Sequence, residues 1–219
     1  MKNIFRILTF FSIQALAQVN AVDYANFDKY KNQNTEVINQ SNKIILMGDS
    51  ITEGWIINDA DFFAQNHLID RGISGQTTSQ MLLRFRNDVI DLHPKKVVIL
   101  AGINDIAENS GPISTEQIFA HIKSMCDLAK TNQIKVILCT VLPAAEFPWR
   151  PSVHPIEKVL LLNQMIRTYA QDQKIDLVDY FLAMKDPQNA LPKIYSEDGV
   201  HPNKAGYEVM KNLLLPKLK

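Results

Sequence analysis

Two cysteines in 219 residues, Cys126 and Cys139, are too few for a disulfide framework. Cys126 falls on the apolar face of a helical stretch and Cys139 inside a β-type run. Both read as small core residues rather than as a bridge or a nucleophile. Excess charge is also missing: 23 basic residues balance 23 acidic ones, and no Lys/Arg-rich run interrupts the chain. A nucleic-acid partner or a membrane-surface patch needs such a field, so neither is expected. The chain has no Gly-x-x-x-x-Gly-Lys and no Gly-x-Gly-x-x-Gly, the usual cradles for nucleotide phosphates. His67, His93, His121 and His154 share no metal-ligand spacing, and no metal or other cofactor is predicted. No repeat, low-complexity tract or linker divides the chain.

What is present begins with a leader-like segment. Lys2 and Arg6 precede an apolar stretch from Ile7 to Ala17, closed by the small-x-small pattern Ala15-Leu16-Ala17. This predicts a secretory signal peptide over residues 1–17, too short for a spanning helix, and one catalytic-size domain over 18–219. The mature protein is then secreted or periplasmic, without stable membrane insertion. An amphipathic helix packed on the domain is the alternative for the same residues.

Five apolar runs follow: Lys43–Met47, Leu68–Asp70, Val97–Ala101, Val136–Cys139 and Asp176–Asp179. They are continuous rather than alternating, as in strands covered on both faces of a parallel sheet. Helical stripes lie between them. Met81, Phe85, Val89 and Leu92 form one, and Ile118, Ile122, Met125 and Ala129 a second behind a Ser114/Gln117 capping box. Val159, Leu162, Met165, Ile166 and Tyr169 form a third, and Tyr207, Met210, Leu213 and Leu214 a fourth, capped by Asn203. A further helix is expected over roughly residues 23–40, before the first strand. Alternation of this kind predicts an α/β protein, a three-layer α/β/α sandwich whose ligand site lies beyond the carboxyl ends of the strands. The irregular stretch from Leu142 to Pro155 carries four prolines and is long enough to face a substrate.

Three clusters sit at those strand ends. Ser50 follows the first strand through Gly48 and Asp49. A serine there is either a helix N-cap or a nucleophile whose own N–H helps hold an oxyanion. His201 is the base candidate, with Asp198 three residues earlier across Gly199, a spacing that can bring a carboxylate to the imidazole Nδ1–H. Asn104 after the third strand and Gly75 after the second can offer an amide side chain and a backbone N–H to the oxyanion. Asp49 and Asp105 read as turn supports. Trp55, Trp149 and Arg150 are candidates to contact a sugar or a carboxylate, the alternative being that the tryptophans are packed.

The ordered set Gly48-Asp49-Ser50-Ile51-Thr52, Gly75, Gly102-Ile103-Asn104-Asp105 and Asp198-Gly199-Val200-His201-Pro202 resembles the GDSL, or SGNH, hydrolase family. The branch it most resembles is that of platelet-activating-factor acetylhydrolase catalytic subunits. Ile51 stands where the motif name has leucine, and Thr52 stands where the Gly-x-Ser-x-Gly elbow of larger hydrolases has its second glycine. The resemblance implies a flavodoxin-like parallel sheet in the order 2-1-3-4-5 and esterase or acylhydrolase activity without a metal. It implies Ser50 as nucleophile, His201 as base, Asp198 as its orienter, and Ser50 N–H, Gly75 N–H and the Asn104 side chain as oxyanion donors. The expected substrate is a small acyl ester, acetyl above all, of a small molecule or carbohydrate. A lysophospholipase, a thioesterase, an acyltransferase and a non-catalytic carbohydrate-binding module are the alternatives. Oligomeric state is not readable in the sequence.

Overall fold

The computed structural model describes residues 23–219; the leader predicted at 1–17 lies outside the described residues. A parallel five-stranded sheet runs in the order β2-β1-β3-β4-β5. Its strands are β1 (Ile44–Gly48), β2 (Leu68–Gly72), β3 (Lys96–Ile99), β4 (Lys135–Cys139) and β5 (Asp176–Val178). Ile45 of β1 pairs in register with Ile69 of β2 and Val97 of β3, so the two central strands start level. Every residue of β1 and β3 is buried, which is why both read as unbroken apolar runs.

Nine helices accompany the sheet among the described residues: α1 (Lys31–Val37), α2 (Ser50–Asn58), α3 (Ala60–Gln65), α4 (Thr78–Asp88), α5 (Ile103–Ile106), α6 (Thr115–Thr131), α7 (Ile156–Asp172), α8 (Tyr180–Met184) and α9 (Lys204–Leu218). In one layer α4 packs on α6 and α6 on α7; in the other α9 packs on α2 and α8. This is the predicted α/β/α sandwich with the 2-1-3-4-5 order. The α6 stripe of Ile118, Ile122, Met125 and Ala129 is buried as expected. Each large apolar side chain removed from water in this way stabilises by about 1.5–3 kcal/mol. Cys126 and Cys139 are free and buried, and burial pushes both thiols up to about 12.

Three local expectations are corrected. The helix expected in residues 23–40 is confined to Lys31–Val37, after a series of turns. The stripe through Val89 and Leu92 breaks at Asp88; Leu92 belongs to a 3-10 turn, and Pro94 cannot continue a helix. Ser114 accepts from Gln117 N–H as half of a capping box, whereas the complete box is at Thr77 and Gln80. Asn203 caps α9 by accepting from Gly206 N–H, as predicted. No helix among the described residues is long and apolar enough to cross a membrane.

Candidate active site

The site forms where β1, β2 and β3 end. Asp49 leaves β1 and caps α2: its Oδ1 accepts from Ile51 N–H at 3.0 Å and its carbonyl accepts from Glu53 N–H at 2.9 Å. Two of the first four N–H groups of α2 are thereby used inside the protein, and Ser50 opens the helix. The helix N-terminus places partial positive charge beside the serine, where an anion is favoured. Asp49 itself is buried, with Oδ2 lacking any hydrogen-bond partner. Burial pushes its carboxyl up to about 7, against the hydrogen bond from Ile51.

The other half comes from the loop before α9. Asn203 N–H donates to Tyr195 carbonyl at 2.8 Å, and Ser196 bridges Pro202, closing the loop at its neck. That neck rests on α9 at Gly206. A side chain there would meet Tyr195 carbonyl at 2.6 Å, so only glycine allows the approach. Inside the loop Asp198 Oδ1 accepts from Ser196 Oγ, Val200 N–H and His201 N–H at 2.8–3.0 Å, while Oδ2 faces His201 Nδ1 at 2.6 Å. Burial acts to raise this carboxyl, but the hydrogen bonds from the His201 ring and the two N–H groups outweigh it and hold it at about 2. With Asp198 ionised, the imidazole carries its proton on Nδ1 and keeps Nε2 as the acceptor. His201 Nε2 lies 2.9 Å from Ser50 Oγ. Alcohol, imidazole and carboxylate are thus in line for proton transfer.

Two further predicted residues meet the serine side. Gly75 is the third residue of a turn closed by Gln76 N–H donating to Ile73 carbonyl, with φ of +77°, a conformation glycine adopts without strain. Asn104, only 4% exposed at the start of α5, donates from Nδ2 to Gln76 carbonyl at 3.1 Å. Asp105 supports a turn: its carboxylate accepts from Thr78 N–H and Oγ, binding α5 to the start of α4. Beneath these groups lies Arg84, which the sequence reading missed. It is fully buried and donates to Gly48 and Arg71 carbonyls, to Gln76 Oε1 and to Asp88. One guanidinium therefore pins the ends of β1 and β2 and the turn after β2.

Of the three side chains named for substrate contact, Trp149 is beside the site. It is 46% exposed, and its ring lies 5.9 Å from that of His201. Arg150 faces Glu108, donating to its carbonyl at 3.0 Å and pairing with its carboxylate at 3.7 Å, so it braces the loop after α5. Trp55 is corrected: it is 2% exposed, stacked between Phe62 and Tyr207 and set edge-on to Phe63. The face of α2 that carries Ile51 and Trp55 turns to the core, out of reach of any substrate.

Known proteins resemble this chain in sequence and fold. A crystal structure of a GDSL-like lipase from Bacteroides thetaiotaomicron is 46% identical, covers 89% of this chain and 98% of its own, and superimposes with a TM-score of 0.86. The platelet-activating factor acetylhydrolase IB subunit alpha2 of Rattus norvegicus is 26% identical over 161 residues, 67% of this chain and 64% of that protein. The Bacillus subtilis lipoprotein YqeF is 34% identical over 82 residues, 36% of this chain and 34% of that protein. The chain therefore spans about a third of YqeF and just under two thirds of the acetylhydrolase subunit. Residues 46–209 match the model of the GDSL-like lipase/acylhydrolase family, and the chain belongs to that family.

Proposed function

We propose that the protein is a serine esterase that removes small acyl groups, acetyl foremost, from carbohydrate alcohols through an acyl-enzyme. The observation that carries this is the continuous chain Ser50 Oγ–His201 Nε2 at 2.9 Å and His201 Nδ1–Asp198 Oδ2 at 2.6 Å. His201 takes the Ser50 proton as the oxygen attacks the ester carbonyl. The resulting oxyanion is held by Ser50 N–H, Gly75 N–H and the Asn104 amide. Collapse expels the alcohol, which receives the proton from His201. Water then gives a proton to His201 while its oxygen attacks the acyl carbon, and Ser50 recovers its proton as the acid leaves.

The acetyl assignment is supported by the similarity to a protein named as an acetylhydrolase. The sugar alcohol is supported by Trp149, an exposed ring beside the imidazole that would protonate the leaving group. Aromatic faces suit the C–H faces of sugar rings. An export leader at residues 1–17 belongs to the same reading, supported by a relative named as a lipoprotein.

Ser50→Ala is expected to abolish hydrolysis of p-nitrophenyl acetate; retained turnover would overturn the assignment. Across p-nitrophenyl esters, kcat/KM is expected to fall as the acyl chain lengthens beyond acetyl. Trp149→Ala should raise KM for an acetylated sugar by roughly 2–10-fold while leaving methyl acetate near its original value. An equal change for both substrates would refute the sugar platform.

A further inference from the structure

Asn109 stands at the rim of the site, exposed and five residues beyond Asn104. Its single side-chain amino group makes two hydrogen bonds. One goes to Asn104 Oδ1 at 2.9 Å and the other to Gly75 carbonyl at 3.2 Å. Its backbone N–H adds a third bond, to Asn104 carbonyl at 3.0 Å. The two residues that Asn109 joins are the two oxyanion donors outside the nucleophile itself.

The orientation of both amides is forced from the ends. Gly75 carbonyl can only accept, so the end of Asn109 facing it is the NH2. That NH2 also faces Asn104, so the facing atom of Asn104 is its oxygen. Gln76 carbonyl, again only an acceptor, requires NH2 at the other end of Asn104 and takes one of its two hydrogens. The second hydrogen of Asn104 is left for the oxyanion.

We infer that Asn109 is a positioning residue for ester hydrolysis. It locks the Asn104 amide with NH2 toward the oxyanion and ties that amide to the Gly75 turn, so that two donors from different strand ends keep one spacing. This rests on the serine-hydrolase reading above. Asn109 acts through Asn104 and Gly75 rather than on the substrate. Its contribution therefore appears in kcat, where a preorganised hole stabilises charge, more than in KM.

The test measures kcat and KM for p-nitrophenyl acetate, together with melting temperature, in Asn109→Ala and Asn109→Asp, each alone and combined with Asn104→Ala. Asn109→Ala is expected to lower kcat about 10-fold with KM changed less than about twofold. Asn109→Asp is expected to lose more. Its carboxylate can only accept, so it repels both Asn104 Oδ1 and the Gly75 carbonyl and drives apart the groups that Asn109 joins. A role in packing alone would rank the two variants the other way, because Asp keeps the size of Asn. In the Asn104→Ala background both losses should shrink, to no more than about threefold for the Ala variant, since one of the two groups they act on is gone. Asn109→Asp milder than Asn109→Ala, undiminished losses beside Asn104→Ala, or losses of kcat that track a lowered melting temperature would each overturn the inference. Wild-type kcat in the Asn109 variants with an inactive Ser50→Ala would overturn it alone. Turnover surviving in Ser50→Ala would overturn the hydrolase reading and this inference with it.

Discussion

Ser50, Gly75 and Asn104 stand at the ends of β1, β2 and β3, whereas His201 and Asp198 belong to a loop that no strand holds. The first group is fixed from below: Arg84 gathers the carbonyls of Gly48 and Arg71, and Asn104 is almost wholly buried. The second is fixed from within, by Asp198 gathering Ser196, Val200 and His201, and its side chains are about two-fifths exposed. Under the proposed mechanism, charge stabilisation then comes from the rigid framework, and proton transfer from a partly solvated loop. The oxyanion donors need fixed positions before the substrate arrives. The imidazole has to change hydrogen-bond partners during the cycle, and a self-contained loop lets it do so without disturbing the sheet.

The largest expected effect breaks the loop side. Asp198→Asn removes the acceptor for the imidazole Nδ1–H and should lower kcat about 10⁴-fold in a p-nitrophenyl acetate assay. A loss under about tenfold would mean that the loop alone orients His201. Arg84→Ala attacks the framework side. It leaves Asp88 without its buried cation and takes a donor from three buried oxygens, and should cost about 3–5 kcal/mol of stability by urea unfolding; a loss below about 1 kcal/mol would sink the idea that one guanidinium holds the strand ends. Asn104→Ala is next, costing about 2.7–4 kcal/mol of transition-state stabilisation, seen in kcat with little change in KM. If KM alone rises, Asn104 binds substrate and does not serve the oxyanion.

The two acids Asp49 and Asp198 sharpen the contrast through pH. Asp198 is held at about 2, below its ordinary 3.8. Its stabilising contribution is present above that ordinary value and is lost as pH falls from there through about 2. Asp49 is raised to about 7, so the folded protein holds a proton that the unfolded chain releases near 3.8. Its effect opposes folding increasingly as pH rises from about 4 to 7. Asp49→Asn should therefore flatten the loss of urea midpoint between pH 5 and 8. Parallel slopes for the variant and the parent protein would show that Asp49 carries no such proton.

Legibility in the sequence followed chemistry. Continuous apolar runs announced β1, β3 and β4, and the four motifs announced the residues that the fold brings together. β2 was faint because Asp70 and Arg71 are drawn into a polar cluster with Tyr30 and Asn34. Arg84 and Asn109 could not be found, because half the side-chain partners of each are backbone carbonyls, which carry no residue identity. Trp55 was misread because its cover comes from Phe62, Phe63 and Tyr207, the last of them 152 residues away. One signal was available and went unused: Thr77 with Gln80 is a capping-box pattern, and it marks the start of α4 beside Asp105.

Tyr207, six residues beyond His201 in the first turn of α9, donates from its hydroxyl to Ile51 carbonyl at 2.9 Å, next to the serine. Docking of α9 and pairing of the dyad are consequently a single event. Any folding intermediate that has assembled the sheet but left this last helix loose holds an alcohol without its base, and is chemically silent. Recovery of turnover during refolding would then time the closing step of the chain, lagging behind the signal of sheet formation.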